Sequence, residues 1–298
     1  MRGALSSFHK RHTMPERWIE HRGQQAADRI GELLRSGKPC MVARIGGIEL
    51  SALIRIRQSR HTLHRIFNKN KREKAFQALQ SNTGFFPLEP HTLERFHDLM
   101  CQDLGSIDIL GSWRRREWFF RKELRQAVKI PLEDIEPYLN PVPWTQALHN
   151  RKVLVVHPFS ESIQEQYRNR ELLFKNNDIL PQFELITLKA VQTIAGTPTP
   201  FRSWFEALDS MQQQIAAIDF DVAILGCGAY GLPLAAAVKQ MRKQAVHMGG
   251  PTQILFGIKG KRWESNPRIA PLMNEHWIRP KPSETPQRAS TIEGGCYW

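Results

Sequence analysis

Residues 219–257 read DFDVAILGCGAYGLPLAAAVKQMRKQAVHMGGPTQILFG, and this stretch decides the predicted fold. The apolar run from Asp221 to Leu225 is typical of a buried strand. A glycine-rich segment over 226–231 follows it directly, and residues 232–241 then carry apolar side chains at helical spacing. A second short strand over 244–248 completes a βαβ unit, which predicts parallel strands connected by helices.

The glycine-rich segment matches the spacing G-x-G-x-x-G at Gly226, Gly228 and Gly231. A strand that enters a helix through such a turn gathers free backbone N–H groups at the helix N-terminus, where phosphate binds well. The same glycines also suit a tight turn that only packs, so both interpretations stay open. NAD binding is disfavoured, because the second strand ends at Met248 without the acidic residue that would bind a ribose.

Composition limits the class of protein. The 298 residues are 41% hydrophobic and carry a net charge of +13. No apolar run approaches the roughly 18 residues of a membrane-spanning helix, and the first residues lack a signal-peptide pattern. The four cysteines show no C-x-x-C spacing, so we expect reduced thiols in the cytoplasm. The positive charge is concentrated in 55–74 and 113–125 and predicts an anionic partner: nucleic acid, acidic lipid or a phosphorylated substrate.

Along the chain, strands alternate with helices of ten or more residues, which predicts an α/β fold with a Rossmann-like, mostly parallel sheet flanked by helices. Besides the two strands already described, strands are predicted over 40–45, 107–110, 152–157 and 183–188. We expect an N-terminal arm and helix over 1–37, one α/β domain over 38–263 with an internal crossing near 131–151, and a proline-rich tail over 264–298.

Three helix predictions depend on local signals. Thr13–Glu16 has capping-box spacing for a helix that should end at about Arg35. Ser162 with Glu165 has the same spacing for a helix after the strand at 152–157. The basic segment 114–127 is predicted to be helical.

Ligands of parallel α/β sheets bind at the carboxyl ends of the strands, so the residues that follow each predicted strand are the site candidates. They are mostly polar residues or glycines: Arg44, Gly46, Gly47, Glu49, the segment 111–116, His157, Glu161, the turn 226–231 with Tyr230, and Gly249 with Gly250. Together they predict a site for an anionic nucleotide, in which Glu49, His157 and the turn at Gly226 border one cleft. Three of these residues also have a purely structural interpretation. Glu49 could complement a helix dipole, His157 could form a hydrogen bond with the backbone, and Tyr230 could be a packed ring.

Four motifs occur in a characteristic order: Arg-x-Gly-x-x-Glu at 44–49, Asn-x-Gly-Phe-Phe-Pro at 82–87, Val-Leu-Val-Val-His-Pro at 153–158, and the glycine turn at 226–231. This order resembles the GT-D-type glycosyltransferases of bacterial surface-glycan loci, over roughly residues 38–257. The resemblance implies a single Rossmann-like domain that binds a UDP-sugar together with a divalent metal, usually manganese. It also implies that an Asp-x-Glu motif after the first strand handles the metal and the diphosphate.

The chain departs from the family at that motif. The family pattern Arg-Phe-Gly-Asp-Gly-Glu corresponds to RIGGIE at 44–49, so the aspartate is replaced by Gly47. Three interpretations stay open. Glu49 alone holds Mn²⁺ or Mg²⁺ together with the diphosphate and water, or basic residues neutralise the diphosphate without a metal, or transferase activity has been lost.

From the residues and the resemblance we predict a cytoplasmic glycosyltransferase of surface polysaccharide or glycoconjugate assembly. It would transfer a sugar from a nucleoside-diphosphate sugar, first of all a UDP-sugar, to a glycan or lipid-linked acceptor, with peripheral contact to an anionic membrane. Arg44, Gly46, Gly47, the turn 226–231 and the glycine pair 249–250 would bind the nucleotide. Glu49 would act in catalysis as the metal ligand.

The general base on the acceptor hydroxyl would be His157 or Glu161. Two alternatives belong to other classes: a nucleic-acid-binding protein that uses its basic segments, and a non-catalytic nucleotide-binding subunit. Against nucleic acid, the aromatic residues form apolar stripes and mostly do not interleave with the basic ones.

Overall fold

A computed structural model describes residues 18–60, 69–291 and 294–298 of the chain. In these residues one seven-stranded sheet has the order β3-β2-β1-β7-β6-β4-β5, and every strand pair in it is parallel. The predicted α/β fold with a parallel sheet is confirmed. The strands are β1 Cys40–Arg44, β2 Ile109–Ser112, β3 Val128–Pro131, β4 Lys152–His157, β5 Glu184–Lys189, β6 Val222–Leu225 and β7 Gln244–His247.

Helices cover both faces of the sheet. They are α1 Gln24–Arg35, α2 Gly47–Ser59, α3 Lys69–Thr83, α4 Pro90–Leu104, α5 Ser160–Arg168, α6 Arg170–Leu173, α7 Trp204–Ala216, α8 Gly231–Gln240, α9 Thr252–Leu255 and α10 Lys261–Glu264. Helices α2, α3, α4, α7 and α8 pack on one face, called the α8 face, and the others pack on the opposite α1 face. The sequence of strand β4 is continuously apolar because helices cover the sheet on both sides. Leu154 is buried on the α8 face and Val155 on the α1 face.

The segment that crosses the sheet is short of regular structure, as predicted. Strand β3 pairs only with β2 at one edge, whereas β4 lies between β6 and β5 in the other half. Residues 132–151 connect them through single 3₁₀ turns. In the described residues, no helix is both long enough and apolar enough to cross a bilayer.

The predicted basic helix over 114–127 is wrong. This segment forms two 3₁₀ turns, Arg115–Phe120 and Glu123–Gln126. The buried carboxylate of Glu117 accepts the backbone N–H groups of Trp113 at 3.2 Å and Arg114 at 3.1 Å and the hydroxyl of Ser112. These bonds hold the first 3₁₀ turn against the end of β2.

The two predicted capping boxes have different outcomes. Thr13–Glu16 lies outside the described residues, although helix α1 ends at Arg35 as predicted. The prediction for Ser162 is wrong, because α5 begins two residues earlier. The cap is supplied by the carboxylate of Glu284, which accepts the N–H groups of Glu161 at 2.8 Å and Ser162 at 3.3 Å. This bond docks the proline-rich tail onto the sheet region.

Candidate functional site

At the carboxyl edge of the sheet, connections from neighbouring strands leave towards opposite faces, and two of the crevices formed in this way hold predicted site residues. The chain runs from β4 to β5 through α5 on the α1 face, whereas it runs from β6 to β7 through α8 on the α8 face. Likewise β1 leads into α2 on the α8 face, and its neighbour β7 leads into α9 on the α1 face. Reversals of this kind are where α/β sheets bind ligands.

The crevice between β4 and β6 contains a cavity of about 100 Å³. His157 at the end of β4 and the segment Gly226–Gly228 at the end of β6 line it. Of the described lining residues, none has a side chain that is charged at neutral pH. The lining combines aromatic rings with amide and hydroxyl groups, among them Phe159, Tyr230, Tyr297, Trp298, Gln192 and Thr193. Such a cavity suits an uncharged ring with polar edges.

His157 lies in the cavity wall but is not arranged as a base. Its Nδ1 accepts the backbone N–H of Phe159 at 3.0 Å, so the proton of the neutral ring is on Nε2. Burial lowers the pKa of His157 to about 3. A general base works best with a pKa near the working pH, so the predicted general-base role of His157 is not supported. The ring can donate one hydrogen bond from Nε2.

Glu161 does not reach the cavity. Its side chain is 47% exposed, and its carboxylate pairs with Lys189 at 3.6 Å and accepts the hydroxyl of Ser283 at 3.4 Å. Glu161 stands in the first turn of α5, where an acidic side chain complements the helix dipole. The predicted role of Glu161 as a base is therefore corrected to a surface ion pair.

The glycine turn divides its residues between packing and the cavity. A Cβ atom on Gly226 would overlap the ring of His157, and one on Gly231 would overlap the ring of His247. Both glycines are therefore required by packing, and Gly226 also lines the cavity. Gly228 differs: it has a φ of +57°, the nearest atom to its Cβ position is the carbonyl oxygen of Thr83 at 3.8 Å, and it borders the cavity.

Tyr230 combines both of its predicted interpretations. Its ring stacks on Trp204 with centroids 4.9 Å apart and planes 9° apart, and its hydroxyl lies 3.4 Å from Oγ1 of Thr193. The same ring forms part of the cavity wall. It is a packed ring that also limits the space for a ligand.

The second crevice, between β1 and β7, holds Arg44. Gly249 has a φ of +70°, and its Cβ position lies 3.4 Å from Cδ of Arg44. The next residue, Gly250, lines the cavity and lies against the ring of Tyr297. Because Gly249 has no side chain, Arg44 can pack against the glycine pair, and Gly250 of that pair borders the cavity. Arg44 therefore lies next to the residues that line the cavity.

Burial dominates the electrostatics of this crevice. It lowers the pKa of the Arg44 guanidinium, and the nearby Glu49 carboxylate opposes that shift. It raises the pKa of Glu49, which the charge of Arg44 opposes in turn. His247 also feels Arg44: burial first, and the guanidinium second, lower the pKa of His247 to about 4. A buried guanidinium without a direct ion pair lacks a charge partner, so an anion that binds beside Arg44 would be stabilised by charge-assisted hydrogen bonds.

Glu49 lies with Arg44 and not with the cavity. Its side chain folds over Gly46, where any Cβ atom would overlap the carboxylate. It is 7% exposed and does not line the cavity, and neither does Gly47. The predicted single cleft is therefore wrong in one respect: His157 and the turn at Gly226 border the same cavity, whereas Glu49 belongs to the neighbouring crevice.

The described residues offer few protein ligands for a divalent metal. Across residues 18–60, 69–291 and 294–298, no group of three His, Cys, Asp or Glu side chains is placed to hold a metal ion. Glu49 offers one carboxylate, and both oxygens of Glu117 are occupied by the bonds described above. A divalent cation at this place would have Glu49 as its one protein carboxylate and would take its other ligands from phosphate and water.

Some lining residues were not among the sequence candidates. Gln192 and Thr193 follow β5, so the strand-end rule that selected the other candidates also applies to them. Tyr297 and Trp298 come from the tail, and no local pattern indicates their position. The contact of Trp298 with Phe159, at 6.2 Å between centroids, exists only in the folded chain.

The sequence was compared with known proteins. A family model described as the GT-D fold-like domain matches residues 21–255. Comparison with curated proteins and with solved structures found no match. The matched region covers well over half of the chain and includes all seven strands. The chain therefore belongs to the GT-D fold-like domain family.

Proposed function

We propose that this chain transfers a sugar from a nucleoside-diphosphate sugar, with UDP-sugar as the first candidate, to an acceptor hydroxyl in surface polysaccharide or glycoconjugate assembly. Its family membership gives it a glycosyltransferase-type fold. In the reaction, the bond between the anomeric carbon and the diphosphate oxygen breaks, and its electron pair passes to the diphosphate. The acceptor oxygen forms the new bond and releases its proton to solvent.

The observation that carries this proposal is the adjacency of the uncharged cavity and Arg44. The cavity accepts a base or sugar ring between aromatic walls, and its amide and hydroxyl groups offer partners for ring substituents. The glycine pair at 249–250 connects it to Arg44. A nucleoside diphosphate has the same two parts, a ring and an anion, in the same succession. Arg44 faces the charge that develops on the departing diphosphate.

The donor class can be tested by thermal unfolding with UDP, GDP, CDP and ADP. We expect one diphosphate to raise the melting temperature by roughly 5–10 °C at a hundredfold excess over its Kd, because binding then stabilises the fold by about 2.7 kcal/mol. The corresponding monophosphate should give a smaller shift, since it offers less charge to Arg44. The matching sugar nucleotide should release free diphosphate on incubation.

The outcomes separate the candidate functions. Diphosphate binding without release from any sugar nucleotide, with or without acceptor, would identify a non-catalytic nucleotide-binding subunit. Equal shifts with all phosphate compounds, including inorganic diphosphate, would contradict a role of the cavity in ring recognition.

A surface next to this site supports contact with an anionic membrane that carries the acceptor. Within the described part of the chain, Trp118 is 50% exposed and Phe119 is 53% exposed. Exposed arginines and a lysine surround them in sequence: Arg115, Arg116, Arg121 and Lys122. Aromatic rings insert at the lipid headgroup level, and basic residues near an anionic surface contribute about 1 kcal/mol each.

Replacing Trp118 and Phe119 together by serine should weaken binding to vesicles containing 30% anionic lipid by about tenfold or more, because two rings lose burial in the interface. Sedimentation with vesicles measures this. The matched control replaces Val142 and Leu172, which are 48% and 50% exposed outside the basic segment. Equal binding by both double variants would contradict the membrane contact. Oligonucleotide binding that falls steeply with salt would instead favour the nucleic-acid alternative.

A further inference from the structure

The side-chain position of Gly47 is filled from the neighbouring strand end. A Cβ atom on Gly47 would lie 3.2 Å from Cη2 and Cζ2 of Trp113 and 3.6 Å from Nη2 of Arg114. This is the position at which the family pattern has the aspartate of its Asp-x-Glu motif. An indole and a guanidinium thus stand where the resemblance predicts a carboxylate, and the local charge is reversed.

The turn that presents Trp113 and Arg114 is held from both sides. The buried carboxylate of Glu117 accepts the backbone N–H groups of both residues. The indole Nε1 of Trp113 donates to the carbonyl of Ile45 at 3.0 Å, which fixes the ring against the end of β1. Preorganised groups of this kind bind a ligand without first losing conformational freedom.

Two guanidinium groups flank the Trp113 ring. Cζ of Arg114 lies 3.8 Å and Cζ of Arg44 lies 5.0 Å from the ring centroid. Neither guanidinium forms an ion pair or a hydrogen bond with any residue in the described part of the chain. Stacking on an aromatic ring orients an arginine and leaves its N–H edges available to an anion.

The carboxylates nearby do not neutralise this pair by direct contact. Glu117 is occupied by the backbone of the turn, and Glu49 is folded over Gly46. The site therefore offers two oriented positive charges, and the carboxylates of Glu49, Glu136 and Glu117 act on Arg44 through electrostatics without a direct ion pair. Diphosphate fits this arrangement better than a metal–carboxylate centre does, because guanidinium groups bind phosphate oxygens in a bidentate manner.

We propose that Arg44 and Arg114 bind the diphosphate of a nucleoside diphosphate directly, beside Trp113, and that this binding needs no divalent cation. The inference rests on the proposed function, because it concerns the donor of that reaction. It replaces the metal expected from the resemblance by two side chains of this chain, and it adds Arg114 to the donor site.

The test is calorimetric titration with UDP, in buffer with EDTA and in buffer with Mn²⁺. The Kd should agree within about twofold between the two buffers. Arg114→Gln and Arg44→Gln should each raise the Kd about tenfold or more in both buffers, since each removes charge-assisted hydrogen bonds. Arg95→Gln is the matched control: Arg95 is also exposed and stacked, with Cζ 3.9 Å from the Phe205 centroid, and its loss should leave the Kd unchanged.

A third variant, Gly47→Asp, places a carboxylate beside Arg114 and should also raise the Kd for UDP in EDTA by about tenfold or more. Melting temperatures verify that each variant is folded, and the exposed Arg114 allows a clear result even if Gly47→Asp unfolds the chain. UDP binding that requires Mn²⁺, or that ignores both arginine variants, overturns this inference and leaves the proposed function standing. If no nucleoside diphosphate binds in either buffer, both are overturned.

Discussion

Replacing Trp204 with alanine should lower the free energy of unfolding by about 3–5 kcal/mol, the range for large aromatic side chains in a core. Trp204 is fully buried on the α8 face. Its ring centroid lies 5.5 Å from Phe85, 5.4 Å from Phe96 and 4.9 Å from Tyr230. The alanine variant would lose these contacts together, because the three remaining rings come from separate segments and cannot collapse into the space.

Denaturant unfolding measures this loss, and Trp204→Phe is the matched control. The indole Nε1 of Trp204 has no hydrogen-bond partner among the described residues, so phenylalanine removes volume but no bond. We expect phenylalanine to cost about half as much as alanine or less. Similar losses for both variants would show that the indole N–H matters and would contradict the packing account. Since Tyr230 stacks on Trp204, the alanine variant should also weaken diphosphate binding.

Replacing Gly231 with alanine should lower the free energy of unfolding by about 3 kcal/mol, because a small-to-large change in a tight site forces rigid groups apart. The added Cβ atom would overlap the ring of His247, which is 5% exposed and bonded through Nδ1 to the carbonyl of Leu225 at 3.1 Å. Any movement of the ring breaks that bond and leaves polar atoms buried without partners. The backbone of Gly231 is ordinary helix, so conformational strain adds nothing.

Gly31→Ala in α1 is the control for this prediction. Around Gly31 the nearest side-chain atom is the flexible end of Arg35, and alanine is the better helix former by about 1 kcal/mol. Thermal and denaturant unfolding should therefore show Gly31→Ala neutral or stabilised and Gly231→Ala strongly destabilised. A neutral Gly231→Ala would mean that the His247 ring can move freely, and the close contact between the glycine turn and β7 would have to be abandoned.

The sequence predicted most of the sheet, because a strand buried on both faces needs a continuous apolar run. Strand β4 matches its prediction at both ends. Strand β2 begins two residues later than predicted, and just before it the carboxylate of Asp108 accepts the N–H of Met41 at 2.8 Å and pairs with Lys239 at 2.7 Å. Strand β3 was missed: it is a four-residue edge strand ending in Pro131, and proline is an argument against a strand from sequence alone.

The part of the site that follows directly from the ends of the strands was predicted from the sequence. The strand-end rule placed His157, Gly228, Gly250 and Arg44 at the carboxyl edge, where the structure has them. It could not separate the two crevices, because their separation depends on strand order, which local patterns do not contain. Nor could it give the protonation of His157, which follows from a single backbone hydrogen bond and from burial.

The cavity wall built by the tail has a consequence for folding during synthesis. Strands β4 and β6 leave the ribosome before Glu284 and Trp298 do, so the sheet can pair while one wall of the cavity is missing. Closure of that wall joins Ser162 to Glu284 across 122 residues, a contact of high sequence separation that forms late. A nascent chain with a complete sheet therefore still lacks this wall of the cavity, and we expect the proposed donor to bind only after the segment around Glu284 and Trp298 has docked.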